Sequence, residues 1–450
     1  MKKYFHKKLQ TKTHIKETLK LALPISVGQL GHIMMGVVDS IMVGKVGTVP
    51  LAAAALVNGL FFLTLVIGIG LSMAATPFIS IAKGEKKYDE CGNVLGHSFA
   101  VNFLFSIFLS LTTFFISYLI PFMNQPKEVV LQAVPYMQVL SLSVIPFMIF
   151  QTYRQFFEGL FFPKHPMVVA IFANVSNAFL NWIFIYGKLG VPSLGLLGAG
   201  IATTTTRWLM AIALMILVFR FENVNKYHPK FLLKKYNINL IKQLIKIGLP
   251  SGFQYFLEVA AFSFSAIMIG WLGSEQLAAH QITINLASVT YMIILGISSA
   301  GTIRVGEFVG EKDWLKVRHA GFSAIGIAVG IMFCFGITFI ILKNQLPYFY
   351  VNDKKVISTA SSLLIIAALF QIFDGMQATG IGVLRGLMDV KIPLIVSIVA
   401  YWFVGIPIGA LLGFHFQLGA FGVWIGLLIS LILLGTTMFY RFHFKTRNQK

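Results

Sequence analysis

Three carboxylates lie where a carboxylate is costly. Asp39, Glu258 and Asp374 fall inside apolar stretches as long as a bilayer is thick, and an ionisable side chain in hydrocarbon marks a functional site by default. A carboxyl in such surroundings can take up and release a proton. With further oxygen ligands it can instead hold a dehydrated Na⁺. Each acid has polar company at helical spacing. His32 precedes Asp39 by seven residues, so both project from one helix face. Asn174, Asn177 and Asn181 follow one another at spacings of three and four. Gln254 and Glu258 are one turn apart, and Gln371, Asp374 and Gln377 share one side of another helix. His280, Gln281 and Asn285 extend the polar lining or serve as plain helix contacts. Nearby aromatics, among them Tyr255, Phe256, Phe370 and Phe373, suit a wall for planar cations. A structural reading stands beside each of these: a buried acid can serve packing alone, and an asparagine stripe can simply tie helices together.

The elements that must position these groups are membrane helices. Of 450 residues 57% are hydrophobic and 12% charged, a composition that a helix bundle in lipid explains and a soluble fold does not. Twelve apolar segments are long enough to cross: 20–44, 50–82, 94–120, 130–156, 166–187 and 195–220, then 243–271, 278–303, 319–343, 357–385, 391–413 and 418–441. The net charge of +20 is distributed as loop clusters, not as a groove for nucleic acid. With both termini placed in the cytosol, 29 Lys and Arg fall on that side and 6 on the other, the bias expected of cytosolic loops. The N-terminus is basic like a signal segment, but the apolar stretch after it is too long and has no clear small-residue cleavage site, so retention is expected. Cys91 and Cys334 are isolated and carry no metal-binding spacing. Glu158 and Glu307 stand near helix ends beside Arg154 and Arg304, which points to weak helix-end ion pairs.

The chain repeats itself. At an offset of 226 residues Leu23-Pro24 falls on Leu249-Pro250, Gly44 on Gly270, and Gly84-Glu85-Lys86 on Gly310-Glu311-Lys312. An even number of spans per copy makes the copies parallel repeats. The expected fold class is therefore all-α and polytopic: two six-helix lobes related by a pseudo-two-fold axis, with a central cleft. The expected divisions are a cytosolic tail over 1–19, an N-lobe over 20–220, an inter-lobe loop over 221–242, a C-lobe over 243–441 and a tail over 442–450. Pro24, Pro250, Gly68, Gly70, Gly296 and Gly301 offer points where helices can bend.

Three stretches make the comparison specific: GVVDSIMVGKVGTVPLAAAAL with its echo IMIGWLGSEQLAAHQITIN, the long run from QTYRQFFEGLFFPKHP to GAGIATTTTRW, and FDGMQATGIGVLRGLMDVKIP. Together with the six-plus-six layout they resemble the multidrug and toxic compound extrusion family, in its bacterial NorM-like branch. The resemblance implies export of cationic or amphipathic compounds against inward Na⁺ or H⁺ flux, by alternating access of two lobes. It implies no enzymatic activity and no cofactor beyond the coupling ion, and a monomer in a bacterial inner membrane whose contacts are drugs and membrane lipids. It places one ion or proton site on Asp39, Asn177 and Asn181, and a cation site on Glu258 with Asp374. Family members often carry a tyrosine one turn before that aspartate, where this chain has Phe370.

The nearest rival is a lipid-linked oligosaccharide flippase of related fold, which favours a cationic cavity for pyrophosphate. Arg207 is the one cation deep within the predicted spans. A membrane-embedded enzyme is disfavoured, because the chain has no DDxxD, HExxH or GxSxG motif, and no GxxxxGK[ST] loop for ATP.

Overall fold

A computed structural model describes residues 2–230 and 236–447, with side chains from residue 13 onward. Met1, part of the inter-lobe loop (231–235) and the end of the C-terminal tail (448–450) lie outside the described residues. Among the described residues twelve helices are long and apolar enough to cross a membrane. They are α1 (Thr13–Gly44), α2 (Thr48–Gly84), α3 (Tyr88–Ser117), α4 (Lys127–Gly159), α5 (Lys164–Tyr186) and α6 (Gly195–Arg220), followed by α7 (Ile238–Gly270), α8 (Ser274–Gly310), α9 (Trp314–Ile341), α10 (Lys354–Gly386), α11 (Lys391–His415) and α12 (Gly419–Arg447). The chain is an all-helical multi-pass membrane protein, as its composition requires.

Several boundaries differ from expectation. The helix that contains α1 begins at Lys2, so the residues expected as a cytosolic N-terminal tail are helical and continuous with the first span. At the other end α12 runs on to Arg447. Lysine-rich helical turns propagate readily, and nothing between Lys2 and the first span breaks the helix. Within the inter-lobe loop a single turn forms over Glu222–Asn225. Three spans are interrupted. The second breaks after Ser72, the fourth at Ser143, and the eleventh contains π-helical stretches at Ile398–Gly405 and Leu411–His415. Near Ser143 the sequence supplies a reason: Pro146 has no N–H to return to the Leu142 carbonyl, and the Ser143 hydroxyl donates to the Leu140 carbonyl at 2.5 Å.

The 226-residue repeat is visible in the backbone. Lys86 and Lys312 both take left-handed conformations, with φ of 60° and 59°. After each, the next amide reaches five residues back, Lys87 N–H to Ala82 O at 2.9 Å and Asp313 N–H to Phe308 O at 3.1 Å. This is the six-to-one helix stop, with lysine where glycine is usual.

The chain packs as two compact units, residues up to Ser26 with those from Phe253 onward, and Val27–Gly252. The border between these units falls inside α1 and α7. Glycine contacts supply the reason. A Cβ at Gly296 would meet the Ser26 backbone nitrogen at 2.7 Å and the Ala22 carbonyl at 2.8 Å, so the leading half of α1 lies backbone-to-backbone against α8. Arg304 adds to this seam by donating to the His14 carbonyl at 2.6 Å, the Thr18 hydroxyl at 2.8 Å and His14 Nδ1 at 2.8 Å. In the other unit Gly70 and Gly252 leave no room for a side chain between α2 and the leading half of α7. Small residues permit such approach, and dispersion over the shared length holds it.

Candidate functional site

In the Val27–Gly252 unit, Asp39 is buried near the end of α1. Asn181 of α5 donates its amide to Asp39 Oδ1 at 2.5 Å and to Asn177 Oδ1 at 3.2 Å. Thr203 of α6 donates to Asp39 Oδ2 at 3.1 Å. Three helices therefore converge on one carboxylate. The asparagine spacing of four explains half of this, because Asn177 and Asn181 sit one above the other on a helix face. Thr203 was not anticipated. It stands in the Thr203–Thr206 run, and four consecutive hydroxyl-bearing residues inside an apolar helix were the available signal.

Arg207, one turn after Thr203, reaches the Ser143 hydroxyl at 2.7 Å and lies about 5 Å from the Phe61 and Phe147 ring centroids. Its charge acts on Asp39. Ser143 stands at the break in α4. Asn174 is not part of the cluster: its amide donates to the Ala170 carbonyl of its own helix at 2.8 Å. His32 packs edge-on against Phe147 and Phe150, at 6.0 and 5.8 Å between centroids, and its Nε2 has no hydrogen-bond partner among the described residues.

Below this cluster Arg154 and Glu158 form an ion pair at 2.6 Å in which both side chains are about 95% buried. A weak helix-end pair was expected here. Burial makes it a different object, because each charge now depends on the other. Arg154 also donates to Gln29 Oε1 at 3.3 Å.

In the other unit Glu258 is the hub. Gln254 donates to its Oε2 at 3.0 Å and Gln377 to the same oxygen at 3.3 Å, while Tyr291 of α8 donates to Oε1 at 3.2 Å. Gln371 donates to the Thr290 hydroxyl at 2.6 Å. Asp374 is buried beside them, close enough for its charge and that of Glu258 to repel. The sequence reading brought Glu258, Asp374, Gln254, Gln371 and Gln377 together and missed Tyr291 and Thr290. Both lie on the α8 face that continues from His280 through Thr283 and Ala287, all three buried.

The remaining expected residues divide. His280 accepts from the Trp424 indole at 3.1 Å and stacks edge-on to it, so it closes a packing contact. Gln281 and Asn285 are exposed. Phe370 is buried between Phe262 and Trp424. Tyr255, Phe256 and Phe373 are partly exposed. Tyr401 of α11 is fully buried, and both acids act electrostatically on its hydroxyl.

Both clusters hold oxygen acceptors without a hydrogen-bond partner among the described residues: Asn181 Oδ1 in one, Gln371 Oε1 and Gln377 Oε1 in the other. A carboxylate with free amide oxygens nearby fits a hard cation, and a carboxylate braced by donors fits a proton site equally well.

Comparison with known proteins gives a consistent result. The MatE family profile matches residues 24–183 and 250–411. Similar sequences include the multidrug resistance protein NorM of Burkholderia vietnamiensis, 33% identical over 96% of this chain and 94% of that protein. The NorM protein of Vibrio vulnificus is 32% identical over 95% of each. Similar structures include the eukaryotic MATE transporter AtDTX14, with a TM-score of 0.88 at 22% identity, covering 98% of this chain and 99% of that one. The Vibrio cholerae MATE transporter VcmN in its bent form has a TM-score of 0.87 at 19% identity, over 98% and 99%. The profile match over both repeats and the near-full-length identity to NorM proteins establish that this chain belongs to the MatE family of multidrug and toxic compound extrusion transporters.

Proposed function

We propose that the protein is a secondary active multidrug exporter, which moves cationic or amphipathic compounds outward in exchange for Na⁺ or H⁺. The observation that carries this reading is the pair of buried carboxylate clusters, one within each unit. Among the described residues neither cluster has a lysine or arginine bonded directly to its carboxylates, so charge there is adjustable. Protonating Asp39, or seating a cation between Glu258 and Asp374, changes which donors are satisfied and so favours one helix arrangement over another. The names of the NorM relatives support drugs as cargo. The burial and hydrogen bonding of the acids support coupling through them.

In this reading the protein acts as a monomer in a bacterial inner membrane, with both termini cytosolic as the lysine and arginine bias favours. It needs no cofactor beyond its coupling ion. The flippase alternative finds little support in Arg207, whose guanidinium bonds the Ser143 hydroxyl and lies about 5 Å from the ring centroids of Phe61 and Phe147.

The test is ethidium or fluoroquinolone efflux by a pump-deficient bacterium expressing the chain, with Na⁺ and pH gradients imposed separately. Efflux driven by one gradient and not the other assigns the ion. Unchanged drug accumulation under both, with rescue of a cell-wall lipid defect, would replace the reading by the flippase.

A further inference from the structure

The last three turns of α12 carry a groove of about 400 Å³ that the transport chemistry does not use. Its construction follows from four-residue spacing. Thr436, Tyr440 and Phe444 form one stripe, and Thr437, Arg441 and Lys445 the adjacent one, with Ile392 of α11 closing the side. The threonines contribute methyl groups, because their hydroxyls are turned to their own helix: Thr436 to the Ile432 carbonyl at 2.5 Å and Thr437 to Leu433 at 2.6 Å. Tyr440 and Phe444 are about 60% exposed. Aromatic side chains at the end of a membrane span sit at headgroup depth.

The second stripe sets the charge. Arg441 grips Asp389 with two hydrogen bonds, Nε to Oδ2 at 2.7 Å and Nη2 to Oδ1 at 3.1 Å, and Lys445 Nζ lies 3.5 Å from the same Oδ2. Two cations share one carboxylate. The carboxylate is nearly covered, whereas the lysine side chain is 47% exposed. The groove thus presents a surplus positive charge at the water boundary and an apolar, ring-lined wall that runs from it towards the hydrocarbon.

We propose that this groove binds one anionic phospholipid. The phosphate sits against Lys445 and the outer edge of Arg441, and the acyl chains lie along Tyr440, Phe444 and the threonine methyls. A soluble phosphate would use the cations and leave the wall uncovered. A zwitterionic lipid would use the wall but bring its own cation to an already positive site. Basic pockets between membrane helices at the headgroup level recognise anionic lipid for the same reason. The inference is independent of which ion drives transport.

The test titrates the full chain in detergent with dioleoyl-phosphatidylglycerol, with dioleoyl-phosphatidylcholine, and with glycerol 3-phosphate, which carries the headgroup charge without chains. Native mass spectrometry reads occupancy, and thermal unfolding reads stabilisation. Phosphatidylglycerol is expected to bind at least about five-fold tighter than phosphatidylcholine, the effect of one interfacial cation, and glycerol 3-phosphate not to bind. Lys445→Gln should cost about five-fold in phosphatidylglycerol affinity and abolish the preference over phosphatidylcholine. Phe444→Ser should weaken both lipids. Both side chains are exposed, so neither change threatens folding, whereas Arg441→Gln would strand Asp389 and is avoided. Equal affinity for the two lipids would overturn the proposal, as would unchanged binding in both variants. Tight binding of glycerol 3-phosphate would show a free-phosphate site instead.

Discussion

Thr203 holds Oδ2 of Asp39 at 3.1 Å while Asn181 holds Oδ1 at 2.5 Å. Both oxygens of one buried carboxylate are thus occupied by donors from helices that lie more than 140 residues further along the chain. On protonation one of these contacts must change direction: the Asn181 amide can only donate, whereas the Thr203 hydroxyl can turn to accept from the acid proton, which ties the charge state of α1 to the side chains of α5 and α6.

Asp39→Asn is accordingly expected to abolish ethidium efflux with normal protein levels in the membrane. Thr203→Val removes one hydrogen bond to a charged group, worth about 1.5 kcal/mol, and should slow efflux roughly ten-fold. Thr203→Ser keeps the hydroxyl and should keep the activity. Full efflux by the Asp39 and Thr203→Val variants alike would remove the cluster from the mechanism.

In the second cluster Asp374→Asn should abolish efflux, again at normal membrane levels. Tyr291→Phe deletes the donor to Glu258 Oε1 and should reduce efflux by about ten-fold. An unimpaired Tyr291→Phe variant would make that tyrosine a packing residue. The same efflux assay reads both changes.

The buried Arg154–Glu158 pair predicts a stability effect in place of a transport effect. Glu158→Gln leaves the guanidinium without its counter-charge and should destabilise by about 3–5 kcal/mol. A double change to Arg154→Met with Glu158→Leu should recover most of that loss, because apolar packing replaces both charges together. Melting temperature in detergent measures each variant.

Gly70→Val should be poorly tolerated. The added carbons would enter the space of the Gly252 backbone, which cannot rotate away as a side chain does. Overpacking of about 1–3 kcal/mol or more is the expected cost, read as lost yield of monodisperse protein. Gly59→Val is the control, since a Cβ there meets nothing within 4 Å.

Asp313 gives a pH dependence outside the spans. The Lys316 backbone N–H at 3.0 Å, aided by the Lys316 ammonium, holds its carboxyl below the usual carboxylate range. The folded value lies below the unfolded one, so its stabilisation is complete above the unfolded carboxylate value of about 4 and is lost as pH falls through the folded value. Asp313→Ala should cost about 1 kcal/mol near neutral pH by removing the cap of α9. The gap in melting temperature between wild type and variant should narrow in acid. A gap that stayed constant to about pH 3 would show that the charge of Asp313 is irrelevant to the cap.

The sequence by itself determined the membrane class, the number of spans and the repeat. Each rests on one-dimensional patterns: apolar length, the positions of Lys and Arg, and identities at a constant offset. It also singled out Asp39, Glu258 and Asp374, because a charge in hydrocarbon is anomalous without any knowledge of its neighbours. Asn177 with Asn181, and Gln254 with Glu258, were legible because four-residue spacing places partners on one helix face. Tertiary structure alone decided which helix completes each cluster. Thr203 and Tyr291 are ordinary membrane-helix residues until α6 and α8 bring their hydroxyls to a carboxylate. Asn174, His280, Gln281 and Asn285 looked as suitable in sequence, yet the Asn174 amide turns back to the Ala170 carbonyl of its own helix, His280 meets Trp424, and the last two are exposed. The unit boundary was hidden for the same reason. It is set by glycine contacts at Gly70, Gly252 and Gly296, where backbones meet, and close approach between distant helices leaves no periodic trace along the chain.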